Sequence, residues 1–135
     1  MADVPDRGLL DTSVVVDLVS LARNTLPARL AISTLTLAEL AAGLAATEDP
    51  IVRSERQDHL ERVESTFDVL PFDARAARAY ARVFAATARS GRKARGPRLV
   101  DLLIASSAIA EGLPLYARNP DDVAALDDLL EVRVV

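Results

Sequence analysis

Residues 7–16 read RGLLDTSVVV, and this stretch sets the architecture. Leu9 and Leu10 make a short apolar run that ends on a charge, Asp11, and the apolar Val14, Val15 and Val16 follow. Asp-Thr-Ser suits the close of a strand and the opening of a helix, with Asp11 or Ser13 as N-cap. A first helix is expected over about residues 14–22.

The same alternation continues outward. Residues 30–32 read as a second strand. Ser33 or Thr34 then starts a helix to about Thr47, with Leu37, Leu40, Ala41 and Leu44 on one apolar face. Its opposite face carries Leu35, Ala42 and Ala46 around Glu39, so this helix is expected to pack on both sides. Pro50 opens a polar helix to about Thr66, and FDVLPF at 67–72 reads as a third strand. Asp73 caps an Ala/Arg helix to about Ser90. A basic loop with two glycines spans 91–97, and a helix then runs from Pro97 or Arg98 to Glu111, where Gly112 stops it. Residues 113–117 are a fourth strand, Asn119-Pro-Asp-Asp begins a last helix, and 131–135 is a fifth short strand. Strands alternating with helices imply parallel βαβ units with right-handed crossovers. The expected fold is α/β, a three-layer α/β/α sandwich with a mainly parallel sheet of four to five short strands. No repeat or linker divides residues 1–135, which read as a single domain.

Three of the apolar stretches each hold one lone carboxylate. In 8–16 (GLLDTSVVV) it is Asp11, in 30–47 (LAISTLTLAELAAGLAAT) it is Glu39, and in 99–110 (LVDLLIASSAIA) it is Asp101. Burying an ionised carboxylate costs several kcal/mol or more unless it is paired or bound to a metal. None of the three stretches contains Arg or Lys. A cation from solution is the natural partner, and an all-oxygen donor set suits a hard cation, Mg²⁺ above all.

The chain is long enough, at 135 residues, to bury a real core, and half of it is apolar. It has no cysteine, which excludes disulfides, thiolate zinc sites and a cysteine nucleophile, and fits a reducing compartment. MADVPDRGLL lacks the basic start and long apolar core of a signal peptide. No apolar run reaches the roughly 18–20 residues that span a bilayer, so no membrane association and a cytoplasmic location are expected. A net charge of −4 argues against a general nucleic-acid binder. Charge is nevertheless concentrated: Arg89, Arg92, Lys93, Arg95 and Arg98 place five cations within ten residues, with no acid among them. This is either a solvated loop or a set of phosphate contacts, with Arg92, Lys93, Arg95 and Arg98 the candidates. Phe67, Phe72 and Phe84 read as core, so base stacking on an aromatic platform is not the expected binding mode.

Strand-end ligand sites are the rule in open α/β sheets. Asp11 ends strand one, Glu39 lies after strand two, and Asn119 to Asp122 follow strand four. The set LLDTSVVVDL, TLAELAAGL, RLVDLLIASSAIAEGLPLYARNPDDV and the terminal EVRVV, in this order, resembles the PIN-domain ribonucleases, and among them the VapC-type toxins of bacterial toxin–antitoxin pairs. The resemblance covers nearly the whole chain. It implies a PIN-like fold and a metal-dependent endoribonuclease that cuts single-stranded or looped RNA with Mg²⁺, or Mn²⁺ in its place. It also implies a cognate antitoxin protein as partner and a homodimer, or a heterotetramer with that antitoxin. Carried over by position, Asp11, Glu39 and Asp101 match the three core acids, and Ser13 matches a hydroxyl that supports the metal shell. The fourth position departs from the pattern. Where the family often has Thr-x-Asp or Thr-Arg-Asn, this chain has Ala117 and Asn119, so that Asp122, or else Asp121, supplies the charge.

Each residue has a plainer alternative. Asp11 could act only as an N-cap, and Glu39 could close a T-x-x-E capping box with Thr36. Asp101 could serve the dipole from a first helical turn, and Asn119-Pro120-Asp121-Asp122 is itself a strong capping pattern. His59 and Asp17 read as solvated. A phosphatase of the haloacid dehalogenase type would need D-x-D after strand one, where this chain has D-T-S. A phosphoacceptor receiver would need a Lys late in the chain after a strand, and the single Lys93 does not follow one. The remaining alternative is a PIN-like binding protein with a weak or inactive metal site that mainly holds an antitoxin or RNA.

Overall fold

Strands β1 (Arg7–Leu10), β2 (Arg29–Ser33), β3 (Asp68–Leu70), β4 (Leu115–Ala117) and β5 (Val132–Val134) form one sheet in the computed structural model, in the order β3–β2–β1–β4–β5. Every pairing is parallel. The structure describes residues 6–135, apart from the side chains of Pro97, Pro120 and Asp122. Residues 1–5, which begin the segment read as lacking a signal peptide, lie outside the described residues.

Alternate strand residues enter opposite cores, as a period of two requires. Leu9, Ala31 and Leu115 meet Val83 and Ala86 of α4 (Ala74–Arg89) and Leu102, Ile104, Ala105 and Ala108 of α5 (Pro97–Glu111). On the other side, Leu10, Ile32 and Tyr116 meet Val14 and Val15 of α1 (Thr12–Val16) and Val63 of α3 (Pro50–Thr66). The three layers expected from the sequence are present, with five strands. Gly8 is required on the second side. A Cβ there would lie 2.4 Å from Cε1 of Tyr116, whose ring covers the strand.

Capping chemistry sets the helix ends. Ser33 accepts the Leu35 N–H at 3.0 Å and opens α2 (Thr34–Ala45). Asp49 accepts the Ile51 N–H at 2.9 Å ahead of α3, and Asp73 accepts the Ala76 N–H at 3.0 Å ahead of α4. Gly112, at φ 66°, ends α5 in the left-handed region.

Several sequence expectations are corrected. The first helix stops at Val16, and a 3₁₀ turn at Leu18–Ser20 replaces its second half. Three successive valines lose side-chain freedom in a helix, which weakens it there. The last helix is a 3₁₀ segment, Pro120–Leu126, kinked at Val123. Helix α2 packs on both sides, though less fully than expected, with Leu35 against the α4–α5 core and Leu37 and Leu40 against the α1–α3 core. Its leucines face inward, only Thr36 is fully buried, and Ala38, Ala41, Ala42, Ala45 and Ala46 are exposed. Phe84 is not core: it is 51% exposed on the outer side of α4.

Candidate active site

The chain runs from β1 outward to β2 and β3, then crosses back through α4 and α5 to β4 on the other side of β1. The crevice between the carboxyl ends of β1 and β4 is therefore the topological switch point, where open α/β sheets bind ligands. Asp11 stands there: its N–H donates to the Tyr116 carbonyl of β4 at 2.9 Å.

Asp11 occupies the N-cap position of α1, yet its side chain caps no helical N–H. The carboxylate is instead held by the Ser13 hydroxyl, which donates to Oδ2 at 2.8 Å. Its Oδ1 is buried. Capping alone does not account for this residue, which the Ser13 hydroxyl orients.

Glu39 joins the same place through a hydroxyl that sequence reading missed. Thr12, next to Asp11, donates to Glu39 Oε1 at 2.6 Å. The Thr12 oxygen lies 2.9 Å from the Thr36 hydroxyl. A hydroxyl has one proton, so with that of Thr12 on Glu39, Thr36 must donate to Thr12. Thr36 and Glu39 are three residues apart on one helix face. The capping-box alternative fails because Ser33 is the N-cap, which puts Thr36 at the third helical position and Glu39 further in. The desolvation argument does not apply to Glu39, which is exposed, whereas Asp11 and Asp101 are half-buried.

Asp101 lies in the second turn of α5, not the first, so the helix dipole is a weak reason for its presence. Helix α5 leads through Gly112–Pro114 directly into the parallel strand β4, and so runs antiparallel to the sheet. Its N-terminal half, with Asp101, therefore lies toward the carboxyl edge. The connection before it is tied to that edge: Arg92 donates from Nη1 to the Asp121 carbonyl. Arg98 is half-buried, with its Nε unpartnered among the described residues, while Lys93 and Arg95 are exposed.

Asn119 is exposed and accepts the Asp121 N–H at 3.0 Å, so its side chain caps the 3₁₀ segment. The Asp122 side chain lies outside the described residues. Asp17, read as solvated, pairs with Arg118 at 3.4 Å and links the end of α1 to the end of β4.

Among the described residues no three His, Cys, Asp or Glu side chains form a ready metal cage. The donors present fit a more open arrangement. Asp11 and Glu39 are pre-oriented by hydroxyls, all their donor atoms are oxygen, and Mg²⁺ typically takes one or two carboxylates and keeps several waters.

Comparison with known proteins agrees with this fold. The PIN domain profile matches residues 8–129. Ribonuclease VapC5 of Mycobacterium tuberculosis is 38% identical over 138 residues, covering 100% of this chain and 98% of that protein. The crystal structure of VapBC-5 from the same organism, a member of the VapBC family of toxin–antitoxin systems, aligns with TM-score 0.79 and 37% identity over 97% of this chain and 98% of that one. VapBC2 from Rickettsia felis, bound to a DNA fragment from its promoter, aligns with TM-score 0.73 and 25% identity over 96% of this chain and 98% of that one. With the acid-bearing switch point, the sheet order and a match across nearly its full length, the chain belongs to the PIN-domain family, on its VapC-type branch.

Proposed function

We propose that this protein is a metal-dependent endoribonuclease and the toxin of a toxin–antitoxin pair. The observation that carries the proposal is the placement of Asp11 and Glu39 at the switch point, each oriented by a neighbouring hydroxyl. Asp11, Glu39 and Asp101 would hold Mg²⁺, or Mn²⁺ in its place, with Asn119 or Asp122 on the rim. When bound, the cation supplies positive charge to a phosphate oxygen and acidifies a water for attack on phosphorus.

The chain's own groups supply the remaining requirements. Ser13 fixes the rotamer of Asp11, and the Thr36–Thr12 pair fixes that of Glu39, so neither carboxylate must be ordered when substrate arrives. The carboxylates repel a phosphodiester, so RNA binding and cation binding are coupled. Lys93 and Arg95, both exposed, are available to flanking phosphates of single-stranded or looped RNA.

The VapC5 relative is named a ribonuclease, and the solved VapBC-5 neighbour is a member of the VapBC family of toxin–antitoxin systems. An antitoxin partner follows for this chain. Its docking wall is the apolar surface that the fold leaves uncovered. Val16 and Val19 are exposed at α1 and the turn after it, beside a cavity of about 410 Å³ lined also by Val63 and Phe67. A partner that blocks the site should present Arg or Lys to its carboxylates. Assembly as a homodimer, or as a heterotetramer with the antitoxin, belongs to this reading, as does a cytoplasmic location. No helix among the described residues is long and apolar enough to cross a membrane.

The test is cleavage of a single-stranded RNA across a Mg²⁺ titration. Wild type should cut, and EDTA, Asp11→Asn or Asp101→Asn should abolish cutting with the fold intact. Equal cleavage by wild type and Asp101→Asn would overturn the proposal. One observation favours the binding-protein alternative: Asn119, at the family's fourth position, is committed to capping Asp121. That alternative requires RNA or antitoxin binding with no Mg²⁺-dependent cleavage in the same titration.

A further inference from the structure

Phe84 was expected in the core and lies outside it. Its ring is 51% exposed, and the Tyr80 ring, one turn earlier, is tilted 58° to it at a centroid distance of 6.2 Å. Ala88, one turn later, is too small to cover it. The groove that results holds about 280 Å³ and is lined by Phe84, Ala88, Arg92, Lys93, Ala94 and Arg95. One aromatic face and three cations meet there, and no acid lines the groove among the described residues.

We infer that this groove is a subsite for one unpaired nucleotide of RNA, with the base stacked on Phe84 and its phosphates held by Lys93 and Arg95. The inference rests on the ribonuclease reading and deepens it by placing part of the substrate. An exposed aromatic ring beside cations matches the two faces of a single-stranded nucleotide, a flat base and a charged backbone. An apolar protein segment would satisfy the ring but leave the cations facing apolar surface. A duplex would satisfy the cations but offers no free base. Arg92 has a separate role. Its guanidinium donates to the Asp121 carbonyl, so it is a wall of the groove and ties it to the segment capped by Asn119. The groove therefore adjoins the carboxyl edge that carries the acids, and an RNA strand can extend from one to the other.

Binding of a fluorescein-labelled single-stranded RNA 12-mer, followed by anisotropy in Mg²⁺ with Asp101→Asn as the common background to suppress cleavage, tests the subsite. Phe84→Ala should raise Kd by about 5- to 150-fold, the usual effect of losing one stacked base. It should leave the salt slope unchanged, because stacking releases no counterions. Phe84→Tyr should restore binding. Duplex RNA should bind both proteins equally. In Mg²⁺ and without the Asp101→Asn background, Phe84→Ala should raise KM and leave kcat at saturating RNA near wild type. An unchanged Kd and KM in Phe84→Ala overturns the subsite, and loss of self-association in that variant would assign the ring to a contact between copies. The two readings separate cleanly. If wild type cleaves and Phe84→Ala binds normally, only the subsite falls. If wild type binds RNA through Phe84 but never cleaves it, only the nuclease reading falls.

Discussion

Thr12 donates its hydroxyl to Glu39 across 2.6 Å and so joins the turn after the first strand to the second helix. The two residues are 27 positions apart in sequence, and the bond is a direct link between the neighbourhoods of Asp11 and Glu39. It gives an exposed glutamate a fixed orientation, which solvent alone does not. Thr12 is thus a positioning residue for a carboxylate.

Thr12→Val, close in shape but lacking the donor, should release Glu39 and weaken divalent-cation binding by about 10- to 100-fold, the usual effect of losing an outer-shell partner. Mn²⁺ titration followed by the rise in Tm reads this without any activity assay, because a ligand that binds only the folded state raises stability in proportion to ln(1 + [L]/Kd). Thr12→Ser keeps the donor and should behave as wild type. Equal Tm gains in wild type and Thr12→Val would remove Thr12 from the site.

Tyr116 has a buried hydroxyl without a hydrogen-bond partner among the described residues. Leaving such a group unpaired costs about 1–3 kcal/mol. Tyr116→Phe should therefore be stabilising by about 1 kcal/mol at neutral pH. Burial also raises the phenol pKa above its ordinary 10.0, with Arg133 opposing and Glu131 reinforcing the shift. The folded state then prefers the protonated phenol. Its contribution is complete below the unfolded value and is lost as pH rises through the higher folded one. Denaturant melts from pH 8 to 11 should show wild type losing stability relative to Tyr116→Phe above about pH 10. Parallel curves would refute the assignment.

The same ring makes Gly8 irreplaceable. A methyl at Gly8 would sit 2.4 Å from Cε1 and 2.8 Å from Cδ1 of Tyr116. Gly8→Ala should cost about 1–3 kcal/mol, as overpacking does. Combined with Tyr116→Leu, it should cost less than the sum of the two single changes, because the clash is shared. A double-mutant cycle measures this, and strict additivity would place the strain elsewhere.

Most element boundaries were legible because local chemistry fixes them: Ser33 and Asp73 cap, Pro50 opens a helix, and Gly112 terminates one. Asp11 and Ser13 were legible as a strand-end pair. The sheet order was not, since which side of β1 takes β4 is decided by packing between residues about a hundred positions apart. Nor was Thr12, whose partner is equally remote. Alanine misled on α2, because it serves a buried face and a solvated one alike. Phe84 misled through its size, although the period was readable. Ala76, Ala79, Val83 and Ala86 form the buried stripe of α4, and the residue after Val83 is turned about 100° away from it.

The basic loop divides by role, and salt dependence exposes the division. Lys93 and Arg95 are exposed, whereas Arg92 already donates to the Asp121 carbonyl. Neutralising Lys93 and Arg95 together should weaken single-stranded RNA binding and lower the slope of log K against log salt by about 0.7 per lost contact. The rate at saturating RNA should change little, since these charges position the strand and do no chemistry. Arg92→Ala should behave differently. It frees the segment that Asn119 caps, so it should reduce kcat at saturating RNA while changing the salt slope less than the double variant does. Arg92→Gln, which keeps a donor able to reach the carbonyl, should recover part of the rate. A slope loss of about 0.7 with normal kcat in Arg92→Ala would show instead that Arg92 is a phosphate contact like its neighbours.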